Sequence, residues 1–364
     1  MRRSIWLIRV FPALALRCVP APLRPGVEIG SIKQGNTAMS TFVDRHRFDF
    51  NYIAAVSGSF GDILWRDQAG HDVLWLMNNN TASTVVALPS VPPEWHVKAA
   101  AVFDTPGPGL SSADILWQND NGGLALWQMN GTTVSAITAL PNPGPTWHVV
   151  GDNDFNGDSL DDIFFQNDNG AVAIWSGINA ATGDVGITSA GTQNPGPAWH
   201  VVGTGDANND GKAGVLWQND NGALVIWENP ISIGATFTFN TRATLPTVDP
   251  TWHVAGMQDI TGDGKADVVF QHESGAVAIW EFTPGGPQLV SVDVVDLNPG
   301  PAWHIAGLRD MNGDTQADIL FQNDNGGAAI WEDYRPIGGG MATFDTVVEI
   351  TPNPNPNGQV WDLL

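Results

Sequence analysis

A single cysteine, Cys18, occurs among 364 residues, so neither an intramolecular disulfide nor a thiolate metal site can hold this chain together. Basic side chains are scarce as well: 15 Lys and Arg stand against 38 Asp and Glu, a formal charge of −23. A surface of that sign repels phosphate backbones and anionic lipid, which argues against nucleic acid as a partner. Long apolar runs are also lacking, because beyond the N-terminal segment none reaches the ~18 residues of a membrane-spanning helix, and membrane insertion is not expected. Charged residues amount to only 15%, below the roughly 25% usual in soluble domains, yet 43% hydrophobic residues can build a sizeable core. A globular rather than disordered chain is expected.

The first residues stand apart from the rest. Met1 to Cys18 carries two arginines followed by Ile5 to Ile8 and Phe11 to Leu16, which resembles a short signal peptide interrupted by Arg9 and Pro12. The other reading is that translation begins near Met39. Residues 1–45 are therefore expected to be a leader or non-repeat segment, and 46–364 a single repeat domain. An extracellular or cell-surface location goes with the first reading.

What is present in abundance is repetition. The pair Trp-His occurs at Trp95-His96, Trp147-His148, Trp199-His200, Trp252-His253 and Trp303-His304, at spacings of 52, 52, 53 and 51 residues. A second series begins at Asp62, Asp114, Asp162, Gly214, Asp267 and Asp318, with sequences such as DILWQND and DIFFQND; a third closes on Trp75, Trp127, Trp175, Trp227, Trp280 and Trp331. Six copies result, at about 52–94, 95–146, 147–198, 199–251, 252–302 and 303–351. Within a copy each apolar segment is short, rich in β-branched and aromatic residues, and bounded by turn residues, which predicts strands and leaves no room for a helix. In the third copy these strands are Trp147–Gly151, Ile163–Gln166, Ala171–Trp175 and Asp184–Ser189. Asn167-Asp168-Asn169-Gly170 suits a tight hairpin, and the Asn-Pro-Gly-Pro linker at 194–197 ends the unit.

Four antiparallel strands recurring about every fifty residues predict an all-β propeller, with six blades favoured and seven possible if residues 26–50 and the tail complete another. One blade cannot cover both of its own faces, so neighbours must pack on each other. The segment Gln359–Leu363 reads as a strand able to close the ring on the first blade. A monomer is expected.

Between the first and second strands, three copies place oxygen-bearing side chains at alternate positions, with a carboxylate four residues later: Asp154, Asn156, Asp158 and Asp162; Asp259, Thr261, Asp263 and Asp267; Asp310, Asn312, Asp314 and Asp318. Alternate spacing lets a turning loop aim these oxygens inward, with the carbonyl of Leu160, Lys265 or Gln316 adding one more. Hard oxygen donors in that number suit Ca²⁺ better than Mg²⁺. An EF-hand is excluded, since no twelfth-position Glu and no flanking helices are present. The competing reading is that Asp, Asn and Gly here merely make turns.

The pattern D-x-N-x-D-G-x-x-D before an apolar strand resembles the FG-GAP or VCBS repeats of integrin-like propellers, over about residues 50–350. That resemblance implies Ca²⁺ at the matching loop positions and favours extracellular adhesion. The first copy lacks the loop between Ser59 and Asp62, and the second, Asp104 to Asp114, is rebuilt around Pro106, Gly107 and Pro108. The fourth has Asp206, Asn208 and Asp210 but Gly214 in the closing place. Three strong Ca²⁺ sites and one weak one are expected.

Sixteen tryptophans raise a carbohydrate-binding alternative. Trp65, Trp117 and Trp217 exchange with Phe165, Phe270 and Phe321 in other copies, as packing residues do. The pairs Trp147-His148, Trp199-His200, Trp252-His253 and Trp303-His304 either bridge strands or form repeated pockets, where Trp stacks on a sugar and neighbouring Gln-Asn-Asp groups accept its hydroxyls. Weak pockets repeated around a ring would gain avidity for a repetitive polymer. No nucleophile motif, phosphate loop or His-rich zinc spacing is present, and every candidate acid or base belongs to the repeat, so an enzyme, glycan-active if any, is the less favoured class. The expectation is a calcium-binding adhesion module for a glycan or a cell-surface protein, with a protein-binding scaffold as the alternative.

Overall fold

The computed structural model describes residues 61–350, apart from 68, 79–80, 104–112, 234, 284–285 and 287, together with the strand Trp361–Leu363. All of these belong to one compact unit, His46–Leu364, distinct from Met1–Arg45. The leader, the possible contribution of residues 26–50 to a seventh blade, Ser59 and the rebuilt stretch at 104–112 lie outside the described residues.

Every described element is a strand. The first repeat supplies β1 (Ile63–Asp67), β2 (Asp72–Asn78) and β3 (Thr81–Ala87). The second supplies β4 (Trp95–Ala101), β5 (Asp114–Asn119), β6 (Leu124–Asn130) and β7 (Thr133–Leu140), and the third β8 (Trp147–Asn153), β9 (Asp162–Asn167), β10 (Val172–Asn179) and β11 (Asp184–Gly191). Then come β12 (Trp199–Gly205), β13 (Gly214–Asn219), β14 (Leu224–Ile233) and β15 (Thr236–Leu245); β16 (Trp252–Gln258), β17 (Asp267–His272), β18 (Val277–Phe282) and β19 (Leu289–Val295). The sixth repeat gives β20 (Trp303–Arg309), β21 (Asp318–Asn323), β22 (Ala328–Pro336) and β23 (Met341–Glu349), and β24 (Trp361–Leu363) follows.

The strands form two four-stranded and two eight-stranded sheets in a propeller-like, all-β arrangement. β24 pairs antiparallel with β1, Trp65 facing Leu363, and so fills the edge position that the Trp-His strand occupies in later repeats. Each eight-stranded sheet is two antiparallel meanders joined at their outer strands by a short parallel contact, β11 with β15 and β19 with β23. The cause lies in the unequal hairpins. β14–β15 is ten residues a side and β22–β23 nine, so both reach beyond their own sheet to the neighbouring edge. Their amides and carbonyls thereby cover backbone that would otherwise offer an open edge.

Strand two is buried on both faces, as its unbroken apolar run requires: Ile115, Leu116 and Trp117 are all within 1% of complete burial. In each repeat its aromatic residue meets the tryptophan of strand three, with ring centroids 4.6–5.2 Å apart, from Trp65–Trp75 to Phe321–Trp331. The exchange of Trp for Phe therefore occurs within a tilted ring pair buried between strands. The hairpin glycines are required by geometry. Gly170 has φ 85°, and a Cβ there would lie 2.3 Å from the carbonyl carbon of Gly196 in the following linker.

Hydrophobic clusters join successive repeats rather than filling single ones. One contains Leu64, Leu74, Val97 and Trp117 from repeats one and two; another contains Leu126, Val149, Phe165 and Trp175 from repeats two and three. The series continues to a cluster in which Ile63, Trp65 and Trp75 of the first repeat pack with Met311, Leu320 and Ile330 of the sixth. Backbone hydrogen bonds follow the same course. The carbonyls of Asp154, Asp206 and Asp259 accept from the amides of Ala213, Ala266 and Ala317 in the next repeat, and Asp310 accepts from Gly61. First and last repeats are thus in direct contact.

Candidate metal centre

Four loops between first and second strands share one backbone course. Their fourth and sixth positions adopt left-handed angles: Gly157 and Ser159, Asn209 and Gly211, Gly262 and Gly264, Gly313 and Thr315. Three of these residues are not glycine, and such angles cost each of order 1 kcal/mol or more unless the surroundings enforce them. The enforcement is visible in the loop's opening aspartate. Oδ1 of Asp154 accepts from the amides of Gly157 (2.6 Å) and Asp158 (3.2 Å), and Oδ2 from Ser159 (2.7 Å). Asp206, Asp259 and Asp310 repeat this, with Oδ2 accepting from Gly211 (2.8 Å), Gly264 (2.8 Å) and Thr315 (2.9 Å). Asp158, Asp210, Asp263 and Asp314 each cap the amide two residues on, belonging to Leu160, Lys212, Lys265 and Gln316.

The closing carboxylate is held differently. Asp162, Asp267 and Asp318 reach back from strand two, and their Oδ2 accepts the amide of Phe155 (3.0 Å), Ile260 (3.1 Å) or Met311 (2.7 Å) at the second loop position. In the third repeat Asn156 bridges Asp158 (3.0 Å) and Asp162 (3.2 Å) through its amide nitrogen. In the fifth and sixth the remaining oxygens, Oδ1 of Asp267 and of Asp318, are buried without a hydrogen-bond partner. In the first two repeats the equivalent aspartate turns to its own sheet: Asp62 and Asp114 accept the amides of Met77 (2.9 Å) and Met129 (3.1 Å).

Burial, with neighbouring loop carboxylates adding to it, pushes Asp162 and Asp318 up to about 8 and Asp267 to about 7. A cation removes that penalty by supplying the missing opposite charge. Among the described residues no three His, Cys, Asp or Glu side chains already converge as a ready-made cage. The donor chemistry nevertheless fits a hard cation. Oδ1 of Asp267 and of Asp318 is orphaned, and the loop carboxylates that accept backbone amides keep further lone pairs. In the fifth loop Lys265 is buried, and its ammonium pairs with Asp263. That lysine occupies the charge a metal would otherwise neutralise and must turn away before Asp263 can act as a ligand.

The fourth loop holds a residue that motif matching missed. Gly214 stands where the others have the closing aspartate, but Glu228 on β14 fills the vacated space: a Cβ on Gly214 would lie 2.4 Å from its carboxylate carbon and both oxygens. Glu228 is 0% exposed, and neither oxygen has a hydrogen bond of normal geometry. Burial, reinforced by Asp206 and Asp210 and opposed by the Ala207 amide, pushes it up to about 9. The signal was in the strand register, which sets Trp227 opposite Val215 and so brings the next residue, Glu228, beside Gly214.

At the other end of the strands the histidines of the Trp-His pairs meet acidic side chains of the hairpins. Nε2 of His96, His148, His200 and His304 pairs with Asp120, Asp168, Asp220 and Asp324 at 2.7–2.8 Å. His253 is 3.8 Å from Glu273, and the adjacent Trp252 meets His272 edge-on. Asn119, Asn167 and Asn219 each cap the amide two residues on within their own hairpins. The glutamines cross repeat boundaries. Gln118 donates to the carbonyl of Trp147 (2.8 Å) and accepts the amide of Val149 (3.0 Å); Gln271 does the same to Trp303 (2.7 Å) and Ile305 (2.8 Å), and Gln166 donates to Trp199. Trp147, Trp199, Trp252 and Trp303 are half-buried at the edges of the inter-repeat clusters.

Residues 259–321, which include the fifth and sixth loops, match the FG-GAP-like repeat. No curated protein matches the sequence. Among solved structures, Raptor of Chaetomium thermophilum is similar with a TM-score of 0.44 and 9% identity, over 78% of this chain and 24% of that one, so the chain spans about a quarter of its length. A chain of a mitotic checkpoint complex is similar with a TM-score of 0.42 and 11% identity, over 89% of each.

Proposed function

From a chain that carries an FG-GAP-like repeat at residues 259–321, we propose a six-bladed propeller of four-stranded blades that acts as a calcium-stabilised binding module, with another protein as its partner. The observation that carries the calcium part is the closing carboxylate. In the fifth and sixth loops its Oδ2 fastens the loop while Oδ1 stays buried and unpaired. Bound Ca²⁺ would be held by Asp154, Asn156, Asp158 and Asp162, by Asp259, Thr261, Asp263 and Asp267, and by Asp310, Asn312, Asp314 and Asp318, with the carbonyls of Leu160, Lys265 and Gln316. Its contribution is positive charge that fixes one end of the strands. Six clusters, each spanning consecutive repeats and one joining the sixth to the first, support the blade count.

A protein partner is favoured over a glycan because the polar groups that would greet a sugar are already engaged, Asp by His and Gln by the next repeat's backbone. The glycan reading keeps one supporting observation: the half-buried indoles of Trp147, Trp199 and Trp303 stand beside partly exposed His–Asp pairs in the third, fourth and sixth repeats. An extracellular or cell-surface setting belongs to the proposal, since calcium sites of extracellular modules work at about 10⁻⁴–10⁻³ M. The test is a screen of displayed cell-surface proteins and of a glycan array, each with Ca²⁺ and with chelator. Calcium-dependent binding of a protein supports the proposal. Binding of glycans alone, lost in Trp199→Ala while the fold is kept, would replace it with the second reading, and turnover of a glycan would replace both with an enzyme.

A further inference from the structure

We infer that Glu228 takes the place of the missing closing aspartate and completes a fourth divalent-cation site with Asp206, Asn208, Asp210 and the carbonyl of Lys212. The inference rests on the calcium reading of the other three loops and extends it to a loop whose motif is broken.

Three observations carry it. The fourth loop has kept its form, because Asp206 caps Asp210 (3.2 Å) and Gly211 (2.8 Å), Asn208 caps Asp210 (2.9 Å), and Asp210 caps Lys212 (2.9 Å), as in the intact loops. The loop side chains are also drawn together, Asn208 donating to Asp210 at 3.1 Å just as Asn156 donates to Asp158 at 3.0 Å. The decisive observation is Glu228 itself, a fully buried carboxylate with neither oxygen in a hydrogen bond of normal geometry, lying where a side chain on Gly214 would have to go. The loop carboxylates Asp206 and Asp210 are close enough to act on it.

The exchange conserves chemistry while altering its source. A short side chain on strand two, Asp162 in the third repeat, faces a small residue on strand three, Ser176, next to the Ile163–Trp175 pair. In the fourth repeat the short residue is lost, and the longer glutamate reaches across the same pair of strands from β14. Gly214 is what makes room: any side chain there would displace the Glu228 carboxylate. Glu281 and Glu332 hold the equivalent places beside Asp267 and Asp318, but there the aspartate is still present, and Glu281 is engaged by the Tyr334 hydroxyl (3.1 Å).

Calcium stoichiometry of the full chain, measured by equilibrium dialysis and by titration calorimetry with CaCl₂ as the probe, tests this. The wild type is expected to bind four ions. Glu228→Gln, which keeps the volume and removes the charge, is expected to lose one, or to weaken one at least about tenfold, as a lost ligand charge does, and the exposed Asp210→Asn to lose the same one. Gly214→Asp combined with Glu228→Ala is expected to restore four, because a short carboxylate then has the vacated space. Circular dichroism of each variant monitors folding, and Asp210→Asn carries the test should Glu228→Gln fail to fold. Three ions in the wild type, or an unchanged count and affinity in folded Glu228→Gln whatever Asp210→Asn does, would overturn the inference and leave the other loops standing. No bound calcium at all would overturn the calcium reading as well.

Discussion

Gln118 satisfies two backbone groups of the next repeat with one amide, the carbonyl of Trp147 and the amide of Val149, and it is itself buried. Gln118→Leu keeps most of its volume but strands both groups, at about 1–3 kcal/mol for each one left unsatisfied. A fall in urea midpoint with unchanged slope is the expected result, and no fall would mean that water replaces the clamp. The His–Asp pairs should behave in the opposite way. Both partners are largely exposed in His148–Asp168, and such pairs contribute between nothing and about 1 kcal/mol. His148→Ala is therefore expected to leave the thermal midpoint within a few degrees of wild type, whereas a large loss would show that the pair carries tertiary structure. Repetition made these residues visible in the sequence but did not separate their roles. The Gln of QND looks like a surface acceptor in one dimension, because its partner lies about 30 residues away across a repeat boundary.

At the scale of the element, the hairpin glycine and the linker glycine offer a controlled comparison. Gly170 and Gly196 both have left-handed φ, 85° and 92°, so alanine at either bears the conformational cost of order 1 kcal/mol. Only Gly170 also presses against backbone, whereas a Cβ on Gly196 would meet nothing within 4 Å. Gly170→Ala is thus expected to lower stability clearly more than Gly196→Ala in parallel urea melts; equal losses would show that the hairpin yields. The strands themselves were legible. Asp184–Gly191 was expected from Asp184 to Ser189, and Val172–Asn179 differs from its expected start by one residue, though it runs four further. Sequence patterning missed the union of repeats three with four and five with six, which depends on how far the outer hairpins extend. β15 and β23 alternate more and less buried residues along their whole length, so their pattern carries no break to mark where pairing within the repeat gives way to pairing with the neighbour.

For the whole molecule, the loop carboxylates tie stability to pH, and the proposed Ca²⁺ would change that dependence. Asp162, Asp267 and Asp318 have folded-state pKa values raised by burial from the ordinary 3.8 to about 7–8. The folded chain without metal therefore holds more protons than the unfolded chain between about pH 4 and pH 8, and its stability falls as pH rises through that window. Bound Ca²⁺ favours the ionised form, so the gap between calcium-loaded and chelated midpoints is expected to widen from pH 5 to pH 8. A gap that narrows would mean these carboxylates are not the ligands. The architecture was readable because a fifty-residue period repeats its apolar signals six times. The fourth loop was not fully readable, because Glu228 lies 14 positions beyond Gly214 and meets it only through strand pairing.

The most direct measurement is thermal unfolding of the chain with millimolar Ca²⁺, with Mg²⁺ and with chelator, beside Asp263→Ala. At 100 times the dissociation constant a single site adds about 2.7 kcal/mol, so several loaded loops predict a large upward shift specific to Ca²⁺ and smaller in the variant. An identical midpoint in all three conditions would contradict the account and leave the Asp-rich loops as ordinary turns.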